Sequence, residues 1–304
     1  MITGATGMVG KNLLDHPSIK NFEILAPSRE ELDLKNFQSV YKYLFEKKPD
    51  LIIHAAGKVG GIQANVREPV TFLMENLEIG RNIVWAAKTT GIKKLINLGS
   101  SCMYPRNHID SLTESMILTG ELEPTNEGYA LAKVVTARLC DYIRVEDETF
   151  QYKTIIPCNL YGHYDKFDPL NSHLIPAIIH KMHIAKVNGI PNVEIWGDGM
   201  ARREFMYAGD LADALIRAVS HFDTLPNNMN IGLGYDYSIN DYYQAVAQVM
   251  NYQGEFIHDK NKPVGMTRKL LNVDKQLAWG WTSKNNLHDG ISKTYDYYLK
   301  EFSK

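Results

Sequence analysis

The chain has 304 residues, 44% of them apolar and 22% charged, with a formal net charge of −2. That is enough apolar chain for a sizeable core in one large domain or two intimate ones, and its balanced charge leaves no basic stripe for nucleic acid. No apolar run approaches the ~20 residues of a membrane helix; Cys102, Cys140 and Cys158 form neither a CxxC pair nor a zinc-spaced cluster, so free thiols in a reducing cytoplasm and no metal are expected.

The chain opens MITGATGMVG, with glycines at Gly4, Gly7 and Gly10. This spacing reads as the turn after the first strand of a dinucleotide-binding fold, where glycines let backbone approach a pyrophosphate and let the next helix pack close. Met1–Thr3 is short for such a strand, so a few preceding residues are expected to be missing; the alternative is a short strand with the turn intact. The helix continues through GKNLLDH and stops at Pro17.

Continuous apolar runs predict buried parallel strands over Asn21–Ser28, Asp50–Ala56, Lys93–Ser100 and Tyr152–Asn159. Helices are expected over Glu31–Lys47, Val70–Thr89 and Gly128–Val145, which makes βαβ units and a doubly wound parallel sheet of the α/β class. Beyond Asn159 the rhythm loosens. Helices are expected over Leu174–Val187, Asp210–His221 and Ser238–Asn251, strands at VEIWGDG (Val193–Gly199), NMNIG and GEFIHD, and an amphipathic tail from Ser283. We expect a dinucleotide-binding domain over 1–159 with returning segments near 203–232. A smaller interleaved substrate lobe takes 160–202 and 233–304.

After the second run comes PSREELDL. An acidic residue there would favour NAD, whereas a cation accommodates a 2′-phosphate; Ser28 and Arg29 point to NADP(H). Further on, Tyr129 and Lys133 stand four apart, opposite an apolar stripe of Leu131, Val134, Val135, Leu139 and Tyr142, so periodicity argues against a core role for Tyr129. LGSSC places Ser100 and Ser101 at the carboxyl edge of the sheet, where ligands bind in open α/β folds. Ketone reduction by hydride needs a proton donor for the nascent alkoxide. A nearby ammonium is expected to lower the phenol pKa of about 10, and a serine hydroxyl can hold the carbonyl oxygen.

The glycine turn, LGSS and YALAK resemble the extended short-chain dehydrogenase/reductases. HAAGKVGGIQAN, LGSSCMYP, LEPTNEGYALAK, NLYG, NSHLIPAIIHK, WGDG, RREF and RKLL are similar, in order and over nearly the whole chain, to the GDP-L-fucose synthase family within them. The resemblance implies an NADPH-dependent 3,5-epimerase and 4-reductase of a GDP-4-keto-6-deoxy sugar. Its catalytic set falls on Ser100, Tyr129 and Lys133 for reduction, with Cys102 and His173 for epimerisation. A C4 ketone acidifies the hydrogens at C3 and C5, and a thiol and an imidazole both titrate near neutrality.

The same resemblance puts cofactor contacts on Gly4, Thr6, Gly7, Met8 and Val9, on Arg29, and on Ala55 and Ala56. Leu98, Gly99 and Ser100 follow, then Tyr129 and Lys133, then Pro157, Asn159 and Leu160 beside the nicotinamide, with His173. Lys181, Trp196 and Arg203 match substrate positions, the two cations on the diphosphate side. It also implies a homodimer through Val70–Thr89 and Gly128–Val145. Three stretches depart from the family. Ala5-Thr6 replace an arginine in the glycine turn, Val264 replaces an aspartate that faces substrate, and Asn272 replaces an aspartate. The loss at Val264 opens the sugar's identity, with Asn159–His173 expected to decide it. A GDP-colitose or GDP-6-deoxy-heptose precursor fits the same catalytic residues, and a 4-reductase without epimerase activity is a further alternative.

Overall fold

The computed structural model describes residues 1–168, 172–262 and 266–302. Val264 therefore lies outside the described residues, as does part of the Asn159–His173 stretch. In chain order the elements begin β1 (Ile2–Thr3), α1 (Met8–Leu14), α2 (Phe37–Lys47), β2 (Leu51–His54), α3 (Ile62–Arg67), α4 (Pro69–Thr89) and β3 (Lys94–Leu98). They continue α5 (Glu127–Glu146), β4 (Gln151–Pro157), β5 (Asn159–Tyr161), α6 (Leu174–Val187), β6 (Asn192–Trp196), β7 (Arg202–Arg203), β8 (Phe205–Tyr207) and α7 (Ala208–Ser220). The rest are β9 (Asn228–Ile231), β10 (Tyr237–Ser238), α8 (Ile239–Met250), β11 (Glu255–Asp259), β12 (Arg268–Lys269), α9 (Asp274–Ala278) and α10 (Leu287–Phe302).

The main sheet runs β1-β2-β3-β4-β9, every pair parallel. Its strands are buried on both faces, as the continuous apolar runs require. Ile52, Leu95 and Tyr152 pack against Val40 and Leu44 of α2, Ile83 of α4 and Ile143 of α5. Ile53, Ile96 and Ile155 pack on the other side against Leu13 of α1 and Leu211 and Leu215 of α7. A second core gathers α6, α8 and α10 around β6 and the β5–β8 pair, with Ile175, Ile179, Val246 and Tyr298 at its centre.

Three expectations need correction. Asn21–Ser28 forms no strand, because β1 offers it only two residues; a single bond, from Ile2 N–H to Leu25 O at 2.8 Å, holds it beside the sheet. The helix expected from Glu31 starts at Phe37. Ser28 and Glu31 close a reciprocal turn (Glu31 N–H to Ser28 Oγ 3.2 Å, Ser28 N–H to Glu31 Oε2 2.7 Å), and Asn36 caps α2 instead.

The third correction concerns α5. Its inward face is Ala130, Ala132, Lys133, Val134, Thr136, Ala137, Cys140 and Ile143. Of the apolar stripe, Leu131, Val135 and Tyr142 are exposed instead of buried. Small residues win the inward face because α4 comes very close: a Cβ on Gly80 would stand 2.1 Å from Thr136 Oγ1. Lys133 therefore points into the protein.

Candidate active site

The carboxyl ends of β1 to β4 open onto one cavity of about 1220 Å³. The glycine turn forms part of its wall. Gly4 sits at φ +70°, and a Cβ there would lie 2.7 Å from Ala56 Cα; at Gly10 it would lie 2.3 Å from Gly4 O. Only glycine permits this closeness, which leaves Thr6, Gly7, Met8 and Val9 lining the cavity. Arg29 lines it from the Ser28–Glu31 turn, exposed and without a hydrogen bond or ion pair among the described residues. Ala55, Ala56, Leu98, Gly99, Pro157, Asn159 and Leu160 line it from the strand ends.

Ser100 follows β3 by two residues and caps a short 3-10 turn, its Oγ accepting the Cys102 N–H at 3.2 Å. Tyr129 reaches Ser100 from α5. Burial pushes its phenol well above the ordinary tyrosine range and Cys102 adds to the push, while the hydrogen bond with Ser100 opposes it. This reverses the expected lowering. Lys133 Nζ lies 6.0 Å from the Tyr129 ring centroid, and at that range burial wins. Lys133 donates to Leu98 O at 2.9 Å, and burial pushes it down to about 8. No carboxylate pairs with it among the described residues. His54 beside it is buried and pushed down to about 3, first by burial and then by Lys133.

Cys102 Sγ accepts from Asn126 Nδ2 at 3.2 Å and from Lys269 Nζ at 3.5 Å. His173 stands at the N-terminus of α6 and lines the same cavity. Burial lowers its imidazole, and Lys166 and Lys269 lower it further. Ser100, Cys102, Tyr129, Lys133 and His173 thus meet in one space although α5 and α6 pack in different cores.

The remaining predicted contacts lie on the second core's side. β6 alternates exposed and buried residues, so Asn192, Glu194 and Trp196 share its open face. Trp196 Nε1 donates to Glu194 Oε1 at 2.8 Å, and Lys181 Nζ donates to Glu194 O at 2.7 Å. Arg203 is half-buried with its charge facing Glu123. Lys181, Trp196 and Arg203 all line the cavity. Asn272 takes a structural part: its Oδ1 accepts the Asp274 N–H at 3.0 Å at the start of α9.

Residue-level reasoning missed Lys269, Asn126, Lys35 and Tyr243, all of which line the cavity. Lys269 stands in RKLL and Asn126 in PTNEGYALAK, so both stood inside motifs already singled out.

The description of an NAD dependent epimerase/dehydratase family matches residues 1–232. The chain is 56% identical over 301 residues to a GDP-L-colitose synthase of Yersinia pseudotuberculosis, covering 99% of this chain and 98% of that one. It is 47% identical to a GDP-L-fucose synthase of Azorhizobium caulinodans, covering 98% and 96%. Among solved structures, a GDP-mannoheptose C4 reductase from Campylobacter jejuni with NADP bound superposes with a TM-score of 0.88 at 31% identity, covering 98% and 97%. With a match that runs from the glycine turn through β9, the chain belongs to the NAD dependent epimerase/dehydratase family.

Proposed function

We propose that the protein takes a GDP-4-keto-6-deoxy sugar, inverts C3 and C5 and reduces C4 with NADPH, giving GDP-L-fucose or a close relative. The observation that carries this reading is the meeting of a Ser/Tyr/Lys set and a Cys/His pair in one cavity. The dinucleotide half, 1–159 with segments near 203–232, holds the cofactor. The lobe of 160–202 and 233–304 holds the nucleotide sugar.

The residues present fit NADPH. The tight glycine turn leaves its amides beside open cavity, and Arg29, with no hydrogen bond or ion pair among the described residues, suits a 2′-phosphate. Gly4, Thr6, Gly7, Met8 and Val9 would hold the pyrophosphate side, and Pro157, Asn159, Leu160 and His173 would hold the nicotinamide. Bound there, the reduced nicotinamide supplies hydride to C4.

The protein's own residues do the proton work. Tyr129, kept in its phenol form by burial, gives its proton to the C4 oxygen. Ser100 steadies that oxygen, and the Lys133 ammonium offsets the phenolate left behind. Before reduction, Cys102 removes the acidic proton next to the ketone and His173 returns one to the opposite face. Lys181 and Arg203 take the diphosphate, with Trp196 beside it.

A second reading is the same chemistry on a GDP-colitose precursor, favoured by the likeness to the Yersinia enzyme, or on a GDP-6-deoxy-heptose precursor, favoured by the likeness to the Campylobacter reductase. A sugar lacking the C3 hydroxyl carries a methylene there, so its product records inversion at C5 alone. The test is product NMR after incubation with NADPH and a panel of GDP-4-keto sugars in deuterated water. One sugar is expected to be consumed with loss of NADPH absorbance and deuterium at the inverted carbons. No NADPH oxidation with any of them overturns the reading; reduction without inversion leaves only a 4-reductase.

We also assign the exposed stripe of Leu131, Val135 and Tyr142, with Val70, Met74 and Trp85 of the adjoining α4, to a homodimer interface. The three unpaired cysteines suit a reducing cytoplasm. Among the described residues no helix is long and apolar enough to cross a membrane.

A further inference from the structure

We propose that Lys269 sets the charge state of Cys102, its ammonium holding the sulfur as the thiolate that removes the sugar's proton. The proposal rests on the epimerase reading above and names the group that arms its base.

Lys269 reaches the sulfur by a built route. β12 has two residues, which point to opposite faces. Arg268 turns to Asp236, whose carboxylate also takes Arg202 of β7 (Arg268 Nε to Oδ2 2.5 Å, Arg202 Nε to Oδ1 2.6 Å). Lys269 turns to the cavity, in register with Arg203. Two residues on, Leu271 N–H donates to Glu204 Oε2 at 2.9 Å; Glu204 Oε1 takes the amides of Leu233 at 2.5 Å and Gly234 at 3.0 Å. Two buried carboxylates therefore pin a strand too short to hold itself, and its free side chain ends 3.5 Å from Cys102 Sγ.

Among the described residues Lys269 is the cation that donates to the sulfur. From α5 come Tyr129, a neutral phenol, and Lys133, tied to Leu98 O. From the segment before α5 come Asn126, a neutral donor, and Glu123, which faces Arg203. From α6 comes His173, whose charged form Lys269 disfavours. One cation thus favours the thiolate and makes an imidazolium at His173 a stronger acid.

The step balances. The thiolate takes the proton from carbon and the bonding pair moves to the C4 oxygen; a His173 imidazolium then protonates the opposite face as the pair returns. The pair ends as thiol and imidazole, and proton exchange with water resets it. Lys269 gains and loses no proton, so it is a positioning residue.

The test is alkylation of Cys102 by iodoacetamide against pH in the NADPH-bound protein, located by peptide mass mapping; Cys140 and Cys158 are buried. For Lys269→Met the midpoint is expected to rise by about one pH unit or more, slowing the reaction at pH 7 about tenfold, with the high-pH plateau kept. Lys269→Gln, which keeps a donor but no charge, is expected to show the same shift, and Lys269→Arg to hold the wild-type midpoint. A midpoint unmoved in either neutral variant overturns the proposal; the neutral pair covers the case in which one of them fails to fold. Because alkylation needs no substrate, a shifted midpoint with no deuterium entry into any GDP-4-keto sugar would sink the epimerase reading and leave the Lys269–Cys102 coupling standing.

Discussion

Lys133 and Lys269 stand beside two acids in one cavity and reach them by opposite routes. Lys133 is one helical turn from Tyr129 on α5, so the helix pitch alone brings them together. Lys269 is separated from Cys102 by 167 positions and depends on Glu204 and Asp236 to hold its strand. The first is nearly fully buried with no anion paired to it among the described residues, and its ammonium is depressed to about 8. The second is half-buried and directed at a sulfur. A local pair can carry a buried charge because the backbone enforces the geometry, whereas a remote pair needs carboxylate staples to do the same.

Removing the acid of each pair is expected to have the largest effects. Tyr129→Phe should cut NADPH oxidation by about 10³–10⁴-fold while deuterium exchange next to the ketone survives; loss of both together would make Tyr129 structural. Cys102→Ser should slow that exchange by about 10²–10³-fold and leave NADPH affinity unchanged, measured by fluorescence titration. Unchanged exchange would place the base elsewhere.

Removing the local cation sharpens the contrast. Lys133→Met should lower reduction by about 10²-fold yet hold or raise the melting temperature, since burial of the ammonium opposes folding. Below pH 8 both states carry the proton and the cost is full. Between about 8 and 10.5 the unfolded chain alone keeps it, so the wild type gains stability and the variant's advantage fades. Wild-type reduction should fall as pH passes through 8 before cofactor saturation. A melting temperature lowered at pH 7 would show that the bond to Leu98 O outweighs the burial.

The smallest catalytic effect is expected outside the cavity. Leu131→Glu with Val135→Lys should turn a dimer into monomers by light scattering, with kcat changed less than about twofold. A wild-type monomer would refute the interface.

Much of the fold was legible. The runs at Leu51–His54, Lys94–Leu98 and Gln151–Pro157 became strands because burial on both faces leaves an unbroken apolar signature. α6 spans Leu174–Val187 as read. Asn21–Ser28 has the same signature but no partner strand long enough to pair with it. On α5 the larger apolar residues Leu131, Val135 and Tyr142 face outward, since the close approach of α4 at Gly80 admits mostly small residues on the inward face. β7, β8, β10 and β12 are two or three residues each, below any periodic signal.

By itself, then, the chain determined whatever lies within one or two turns of backbone: the glycine turn, the place of Ser100 at the carboxyl edge of the sheet, and the Tyr129–Lys133 pair. Its motifs also named Cys102 and His173. Which face of α5 turned inward, where Lys269 ended, and how the two cores came to share one cavity were decided by close packing and by buried carboxylates gripping distant amides. Those interactions depend on separations that no local spacing encodes.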